Sequence, residues 1–331
     1  MAQPTPELIF QTLTAYERPA ALKAAIDLDV FTAIADGAKT AKDLAEKCHS
    51  AERGVRILCD YLTIVGLLTK QGNSYGLTQD SSVFLNRRSP AYMGTLANFL
   101  YSSHVTDSFK DLTATVRNGG APAGLGLLNP EDPMWVEFAH SMAPLMARPA
   151  EEIAKLTSAE SGDKWKVLDI AAGHGLFGIT IARHNPNAEI VALDWANVLQ
   201  VAKQNAESAG IGSRYQTLPG SAFDVKFGRD FDLVLITNFL HHFDTATCEA
   251  FLKKVHAALK PGGRAVTLEF VPNEDRVSPA LPAAFSLRML AGTPGGDAYT
   301  FSELDRMFRN AGFSKTEMHP APPGAVLIST R

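Results

Sequence analysis

The sequence predicts an α/β fold in which a largely parallel sheet is covered by helices on both faces and follows a mostly helical domain. From Lys166 onward, short apolar runs such as "KVLDI" and "FDLVLIT" alternate with helical segments such as "TATCEAFLKKVHAALK". This alternation is typical of buried parallel strands. From Pro6 to about Tyr101 the apolar residues instead recur mainly at helical spacing.

Length and composition indicate a globular protein with a substantial core. The chain has 331 residues, 46% of them hydrophobic and 20% charged, which suggests two domains of ordinary size. A formal charge of -4 gives no reason to expect nucleic acid or an anionic membrane as a partner. The three cysteines are far apart and lack metal-ligand spacing, so we expect reduced thiols and neither a disulfide nor a metal site. No segment resembles a secretory leader or a membrane span, and we expect a cytoplasmic protein.

The N-terminal part carries the pattern of a winged helix. Thr40 and Asp43 form a predicted capping box, "AERGVRILCDYLTIVGLL" predicts a longer helix, and "LLTKQGNSYGLT" predicts a hairpin turning at Gly72 and Asn73. Winged helices often bind DNA, but the basic residues here are interleaved with acids and leave no single-sign face for phosphates. We therefore expect this part to pack against a second copy of the chain.

A connecting region follows, at residues 105–150. Its first part, "NGGAPAGLGLLNPEDP", predicts a loop, and its second part predicts one or two helices interrupted at Pro144 and Pro149. An apolar stripe at helical spacing runs through Trp135, Phe138, Met142 and Met146. Such a stripe is typical of a core, although methionine and aromatic side chains also suit an adaptable pocket wall.

A glycine motif follows the first strand of the predicted sheet. Gly173, Gly175 and Gly178 match G-x-G-x-x-G, and Asp194 ends the second strand about 20 residues later. Glycines here let the backbone approach a nucleotide, and a carboxylate at the second strand can accept hydrogen bonds from both ribose hydroxyls. These features alone fit either a dinucleotide oxidoreductase or a methyltransferase.

The remaining motifs resemble the class I S-adenosylmethionine (SAM)-dependent methyltransferases. They are Asp169 inside the first strand, "PGSAFD" after the third, "TNFLHHF" after the fourth, "LKPGG" before the fifth and a terminal antiparallel pair, "FSKTEMHP" and "AVLISTR". With its helical N-terminal part, the chain is similar to the small-molecule O-methyltransferases that include plant caffeic-acid-type enzymes and bacterial natural-product and pigment tailoring enzymes.

The resemblance implies a fold, a domain division and partners. We expect a Rossmann-like seven-stranded sheet in a methyltransferase domain at residues 105–331, and a winged-helix-like dimerisation domain at residues 1–104. SAM is the expected cofactor, and a small molecule is the expected methyl acceptor. The chain is expected to act as a homodimer without metal or nucleic acid.

The resemblance also assigns cofactor contacts. The family's "VDVGGGTG" corresponds to "LDIAAGHG", and its "GDMF" adenine loop corresponds to "GSAF", so that Ser221 stands where an aspartate often contacts the adenine. His174 replaces a small hydroxyl residue. The implied cofactor-binding residues are Asp169, Ala171, Gly173, Gly175, Asp194, Trp195, Ser221, Ala222, Phe223, Thr237, Asn238, Phe138 and Met142.

The catalytic motif of the family, "CHDWSDE", corresponds to "LHHFDTA" and places the catalytic histidine at His241. A hydroxyl acceptor needs a base to remove its proton, and histidine, with an ordinary pKa of about 6.5, is suited to accept it. Glu269, in "EFVP", is the implied orienting acid. His242 replaces an aspartate, and we expect it to cap the start of the following helix.

Two points concern the acceptor. Ala298 stands where the family has a second glutamate, beside Asp297, which leaves room for a C- or N-acceptor or for an acceptor that is already acidic. The implied acceptor pocket, suited to an aromatic molecule, contains Phe285, Met289, Met93, Phe99 and Trp135. The alternatives are a C-methyltransferase on the same scaffold and a cofactor-binding regulator without catalysis.

Overall fold

The computed structural model describes residues 3–122 and 132–331. The chain divides into two compact units, Met1–Ser103 and His104–Arg331. Most of the loop predicted from "NGGAPAGLGLLNPEDP" falls at residues 123–131, outside the described residues.

The N-terminal unit is mostly helical. Its elements are α1 (Glu7–Leu13), α2 (Glu17–Asp27), α3 (Val30–Ala35), α4 (Ala41–Lys47), α5 (Glu52–Ile64), β1 (Leu68–Gln71), β2 (Ser74–Leu77), α6 (Gln79–Phe84) and α7 (Leu96–Leu100). The predicted capping box is present: Thr40 Oγ1 accepts from the Asp43 amide, and the Asp43 carboxylate accepts from the Thr40 amide. β1 and β2 pair as an antiparallel hairpin. The winged-helix pattern predicted from the sequence is thus confirmed.

The second unit contains the large sheet. Its elements, starting with a helix at the unit boundary, are α8 (Ser103–Asp107), α9 (Leu112–Asn118), α10 (Pro133–Leu156), β3 (Lys166–Ile170), α11 (Leu176–His184), β4 (Glu189–Asp194), α12 (Ala196–Ser208), β5 (Tyr215–Pro219), β6 (Phe231–Thr237), α13 (Thr245–Ala258), β7 (Leu259–Glu269), α14 (Ala280–Gly292), α15 (Phe301–Asn310), β8 (Lys315–Ala321) and β9 (Gly324–Thr330).

The seven strands lie in the order β5-β4-β3-β6-β7-β9-β8. β5, β4, β3, β6 and β7 are parallel, and β9 is antiparallel to both β7 and β8. Alternate residues of β6 enter opposite cores: Leu233 and Leu235 pack on one face, Val234 and Ile236 on the other. The predicted doubly covered sheet and terminal antiparallel pair are confirmed. Because β3 lies between β4 and β6, the strand order reverses there, and ligands of such sheets bind at that point.

One prediction about the connecting region is wrong. α10 runs without interruption from Pro133 to Leu156 and contains both Pro144 and Pro149. Proline removes an amide donor and normally breaks a helix. Here packing overrides that preference, because Ala150, Ile153 and Ala154 are buried in the core of the second unit.

No helix in the two described ranges combines the length and the apolar content needed to cross a membrane.

Candidate active site

A cavity of about 290 Å³ lies at the carboxyl ends of β3, β4 and β6. Its lining is mostly apolar, with a few polar side chains that come from the strand ends and the loops after them. The lining residues are Trp135, Phe138, Met146, Ala171, Ala172, Gly173, His174, Phe177, Leu193, Asp194, Trp195, Val198, Gly220, Ser221, Ala222, Phe223, Thr237, Asn238, Phe239, His242 and Phe243.

Asp194 is the carboxylate of this cavity, at the end of β4. Its Oδ2 accepts from the Gly173 amide at 2.8 Å, and its Oδ1 accepts from the Trp195 amide at 2.7 Å. Burial raises the pKa of Asp194 to about 6, although both backbone amides oppose that shift. Two amides therefore fix the carboxylate, and each oxygen keeps acceptor capacity for a ligand.

The glycine turn leaves space beside Asp194. Gly173 has a φ of +57°, and a β-carbon built there would meet only the carbonyl oxygen of Ala171, at 3.9 Å. Gly175 has a φ of +74°, and its β-carbon would lie 2.5 Å from the Tyr215 hydroxyl. A side chain at Gly175 would therefore force the turn away from β5, whereas one at Gly173 would project into open space.

An aromatic group forms another part of the wall. The Phe223 ring lies 6.1 Å from Phe239 and 4.9 Å from Phe243, between ring centroids, and the last two are 5.0 Å apart. Ser221 and Ala222 adjoin this group on the loop after β5. The flat aromatic face of a ring such as adenine fits this wall, and Asp194 in the same cavity suits a ribose diol. The residues present thus fit SAM.

Ten of the thirteen cofactor residues implied by the resemblance line the cavity. The three that do not are Asp169, Gly175 and Met142. Asp169 lies under the turn, fully buried, where its Oδ2 accepts from the Gly178 amide at 3.0 Å; burial raises its pKa to about 7. On α10, Met146 rather than Met142 reaches the cavity, four residues further along the same stripe.

The structure brings His241 and Glu269 together beside the cavity. His241 Nδ1 and Glu269 Oε2 are 2.5 Å apart, and the side chains are only 6% and 3% exposed. Glu269 Oε1 accepts from the Phe239 and Leu240 amides at 3.1 and 2.9 Å. The glutamate therefore binds both the imidazole and the backbone of the turn that carries it.

The expectation for His242 is wrong. Asp244, not His242, caps α13, because its side chain accepts from the Thr247 amide at 2.8 Å. His242 instead lines the cavity, 4.4 Å from the His241 ring and 5.9 Å from the Trp135 ring between centroids. Burial and the neighbouring His241 lower its pKa well below the ordinary value. The 3₁₀ turn at Leu240–His242 rotates the side chain inward, away from the helix start.

The loop after α14 packs against the same turn. A β-carbon at Gly296 would collide with the carbonyl oxygen of His241, so glycine is required for this close approach. Ala298 is fully buried. Its neighbour Asp297 pairs with Arg276 at 3.1 Å and is thus already engaged by a cation.

The residues implied for the acceptor pocket have different locations. Trp135 lines the cavity, and Phe285 meets the His241 ring edge-on with centroids 4.9 Å apart. Met289 is buried on α14. Met93 and Phe99 belong to the N-terminal unit, and their role stays a prediction.

Sequence reasoning missed part of the wall. Phe177, Leu193, Val198 and Phe239 are apolar residues of strand ends and helix starts, indistinguishable in sequence from core positions. Gly220 adjoins Ser221, a predicted site residue, and Phe243 adjoins His242 of the catalytic motif. Their positions next to Ser221 and His242 were a signal that could have identified them.

Comparison with known proteins agrees with this geometry. The chain matches the family model of the O-methyltransferase domain over residues 154–314 and that of the O-methyltransferase dimerisation domain over residues 10–87. A candidate O-methyltransferase from Nostoc punctiforme, known from a crystal structure, is 52% identical, with both chains fully covered and a TM-score of 0.95.

Two further relatives are more distant. The 3-hydroxy-5-methyl-1-naphthoate 3-O-methyltransferase of Streptomyces sahachiroi is 25% identical over 327 residues, 97% of this chain and 93% of that enzyme. Human N-acetylserotonin methyltransferase, crystallised with SAM, shares the fold, with 20% identity, a TM-score of 0.84 and coverage of 100% of this chain and 98% of that one. Together with the two family models and the fit of the cavity to SAM, these matches show that the chain belongs to the SAM-dependent O-methyltransferase family.

Proposed function

We propose that the protein methylates a hydroxyl group of a small aromatic molecule, with His241 as general base and Glu269 as its orienting partner. The observation that carries this proposal is the buried hydrogen bond between these two side chains, adjacent to a cavity that fits SAM. Bound SAM supplies an electrophilic methyl group at this site.

The contacts of His241 favour one tautomer. An ionised Glu269 accepts the proton on Nδ1, which leaves the lone pair on Nε2. Nε2 then accepts the hydroxyl proton as the acceptor oxygen forms its bond to carbon. Glu269 stabilises the imidazolium, as the acid of a catalytic triad does.

The cavity wall supports this step in two ways. Asp194 would hold the ribose of SAM, and the group of Phe223, Phe239 and Phe243 would hold the adenine. The low exposure of His241 and Glu269 keeps bulk water from the proposed base and its partner.

An aromatic acceptor is supported by the site and by a relative. Trp135, Phe138 and Phe285 place three aromatic rings at or beside the cavity. The Streptomyces sahachiroi relative is named for methylating a hydroxynaphthoate. A planar hydroxylated ring system fits such a lining.

The test is a screen of phenolic, naphthoic and polyketide compounds with isotopically labelled SAM, followed by mass spectrometry to locate the methyl group. We expect labelled O-methyl products from hydroxylated aromatic acceptors. Methylation only of aliphatic acceptors, or no transfer by protein that binds S-adenosylhomocysteine (SAH), would contradict the proposal.

C-methylation is the second candidate. It is favoured by Ala298, fully buried where the family resemblance places a second glutamate, and by Asp297, which is paired with Arg276. Without a second glutamate beside it, His241 would instead polarise an enol of the acceptor. A carbon-bound label in the same screen would identify this reaction.

We also propose that the protein is a homodimer. α1 has no buried residue, and Leu8, Ile9, Phe10 and Leu13 are each at least 63% exposed. A contiguous exposed apolar surface of this kind marks an interaction site, and α1 overlaps the matched dimerisation model. A second copy of the chain is the partner that this model implies.

Sedimentation velocity tests the dimer. We expect the wild type to sediment as a dimer and the Leu8→Glu/Leu13→Glu double variant as a folded monomer, because two carboxylates cannot be buried unpaired in the interface. Val277→Glu is the matched control, since Val277 is an equally exposed apolar residue of the other unit. A wild-type monomer, or a double variant that remains dimeric, would refute the proposal.

We also predict that the protein acts without nucleic acid and without a metal. A cytoplasmic location likewise stays a prediction.

A further inference from the structure

α14 carries a cation close to the proposed base. The Phe285 ring lies edge-on to His241, with centroids 4.9 Å apart, and stacks on Phe270 at 4.1 Å. One helical turn further along, the Arg288 guanidinium carbon lies 5.7 Å from the Phe285 centroid. These two spacings place the guanidinium within about 11 Å of the His241 ring, with one aromatic ring between them.

Among the residues that the structure describes, Arg288 has no anionic partner. It is partly buried, and within residues 3–122 and 132–331 it makes neither a hydrogen bond nor an ion pair. Arg276, in contrast, pairs with Asp297 and Glu303. Burial lowers the pKa of Arg288, because its charged form has lost part of its water.

The sequence of α14 explains why no partner lies on the same helix. Positions three and four residues from Arg288 are Ala284, Phe285, Ala291 and Gly292, none of which is acidic. A partly desolvated guanidinium without a counter-charge is unfavourable for folding. A ligand anion would satisfy it.

We propose that Arg288 binds a carboxylate of the methyl acceptor, so that the preferred acceptors are aromatic hydroxy acids. This inference rests on the proposed function and specifies its substrate class. A guanidinium pairs with a carboxylate through two parallel hydrogen bonds, and the cation–π contact with Phe285 helps to hold the guanidinium in place. The ring of the acceptor then lies alongside Phe285 and reaches from Arg288 to His241, with its hydroxyl at the base.

The test uses three compounds that share one ring system: 3-hydroxy-1-naphthoate, its methyl ester and 2-naphthol. Dissociation constants are measured by calorimetry on SAH-loaded protein, and kcat/KM is measured with SAM. We expect wild type to favour the acid over both neutral compounds by at least about tenfold, the effect of one charge-assisted hydrogen-bonded pair.

Three variants assign this preference. Arg288→Gln should lose about tenfold for the acid and change less than about twofold for the ester and the naphthol. Arg288→Lys keeps the charge without the planar fork and should retain part of the preference. Arg276→Gln is the matched control, since it removes an arginine that already has carboxylate partners.

Equal affinity of the wild type for the acid and its ester would overturn the inference. It would also be overturned if Arg288→Gln lost the same affinity for all three compounds, or if binding of the acid did not depend on Arg288. A fall in SAH affinity in Arg288→Gln would also overturn it, because the guanidinium would then serve the cofactor's carboxylate. Arg288-dependent binding of the acid without any methyl transfer would support the inference and contradict the proposed function. Methylation of 2-naphthol without preference for the acid would support the proposed function and contradict the inference.

Discussion

Replacing His241 with glutamine is expected to lower kcat by about 10²- to 10⁴-fold, the range for loss of a general base. Glutamine keeps a polar side chain of similar length, but its amide does not accept the hydroxyl proton. SAH affinity should change less than about threefold, since a base that acts only in the chemical step adds little to cofactor binding. Radiometric turnover and calorimetric titration with SAH measure the two quantities.

His242→Gln is the matched control for this prediction. His242 is the next residue and lines the cavity. Its Nδ1 is buried and makes no hydrogen bond to Glu269 or to any other described residue. We expect its loss to alter ligand affinity and to lower kcat by less than about tenfold. Similar losses of kcat in the two variants would contradict the assignment of the base to His241.

Replacing Asp194 with asparagine is expected to weaken SAH binding by about 100-fold, roughly 3 kcal/mol for the loss of charge-assisted hydrogen bonds to a ribose. Asparagine retains the shape of the side chain but carries no charge, and an NH₂ group that donates hydrogen bonds replaces one of the two accepting oxygens. Calorimetry at pH 8 measures the difference. Asp224→Asn, an exposed carboxylate on the loop that borders the cavity, serves as control and should bind SAH like the wild type.

Asp194 also predicts how SAH binding depends on pH. Its pKa of about 6 means that it is ionised at pH 8 and protonated at pH 5. The protonated carboxyl is a weaker acceptor, so Kd should rise as pH falls through 6, approaching tenfold per pH unit below that value. Asp194→Asn should lack this dependence, and the same slope in the variant would show that another group causes it.

The stability of the unliganded protein should change in the opposite direction. The folded-state pKa of Asp194 is raised above the ordinary value of 3.8, so the folded state binds this proton more tightly than the unfolded state. Its contribution to stability is therefore complete below pH 3.8 and is lost as pH rises through about 6. Acid conditions thus favour the fold through this group while they weaken cofactor binding.

The sequence predicts the parts of the site that depend on strand ends. β6 and β7 are parallel neighbours, with Thr237 paired to Leu268, so residues that follow them must meet at one edge of the sheet. The family resemblance paired His241 with Glu269 across 28 positions, and this strand pairing explains why their side chains meet. Asp194 was predictable for the same reason, since β4 adjoins β3 and its glycine turn.

Other features of the site depend on side-chain orientations that a sequence does not show. His242 lines the cavity from a 3₁₀ turn, and Met146 rather than Met142 lines it from α10, which continues through Pro144. The lack of an anionic partner for Arg288 within the described ranges depends on its three-dimensional surroundings, because acids distant in sequence can lie close in space.

The hydrogen bonds of Glu269 have a consequence for changing what the protein methylates. They tie the proposed base to the backbone of its own turn, and α14 adds an edge-to-face contact with the Phe285 ring. The orientation of the imidazole therefore depends mainly on Glu269 and the backbone of its own turn. A library of substitutions along α14 should diversify the accepted compounds while the proton-accepting group keeps its geometry.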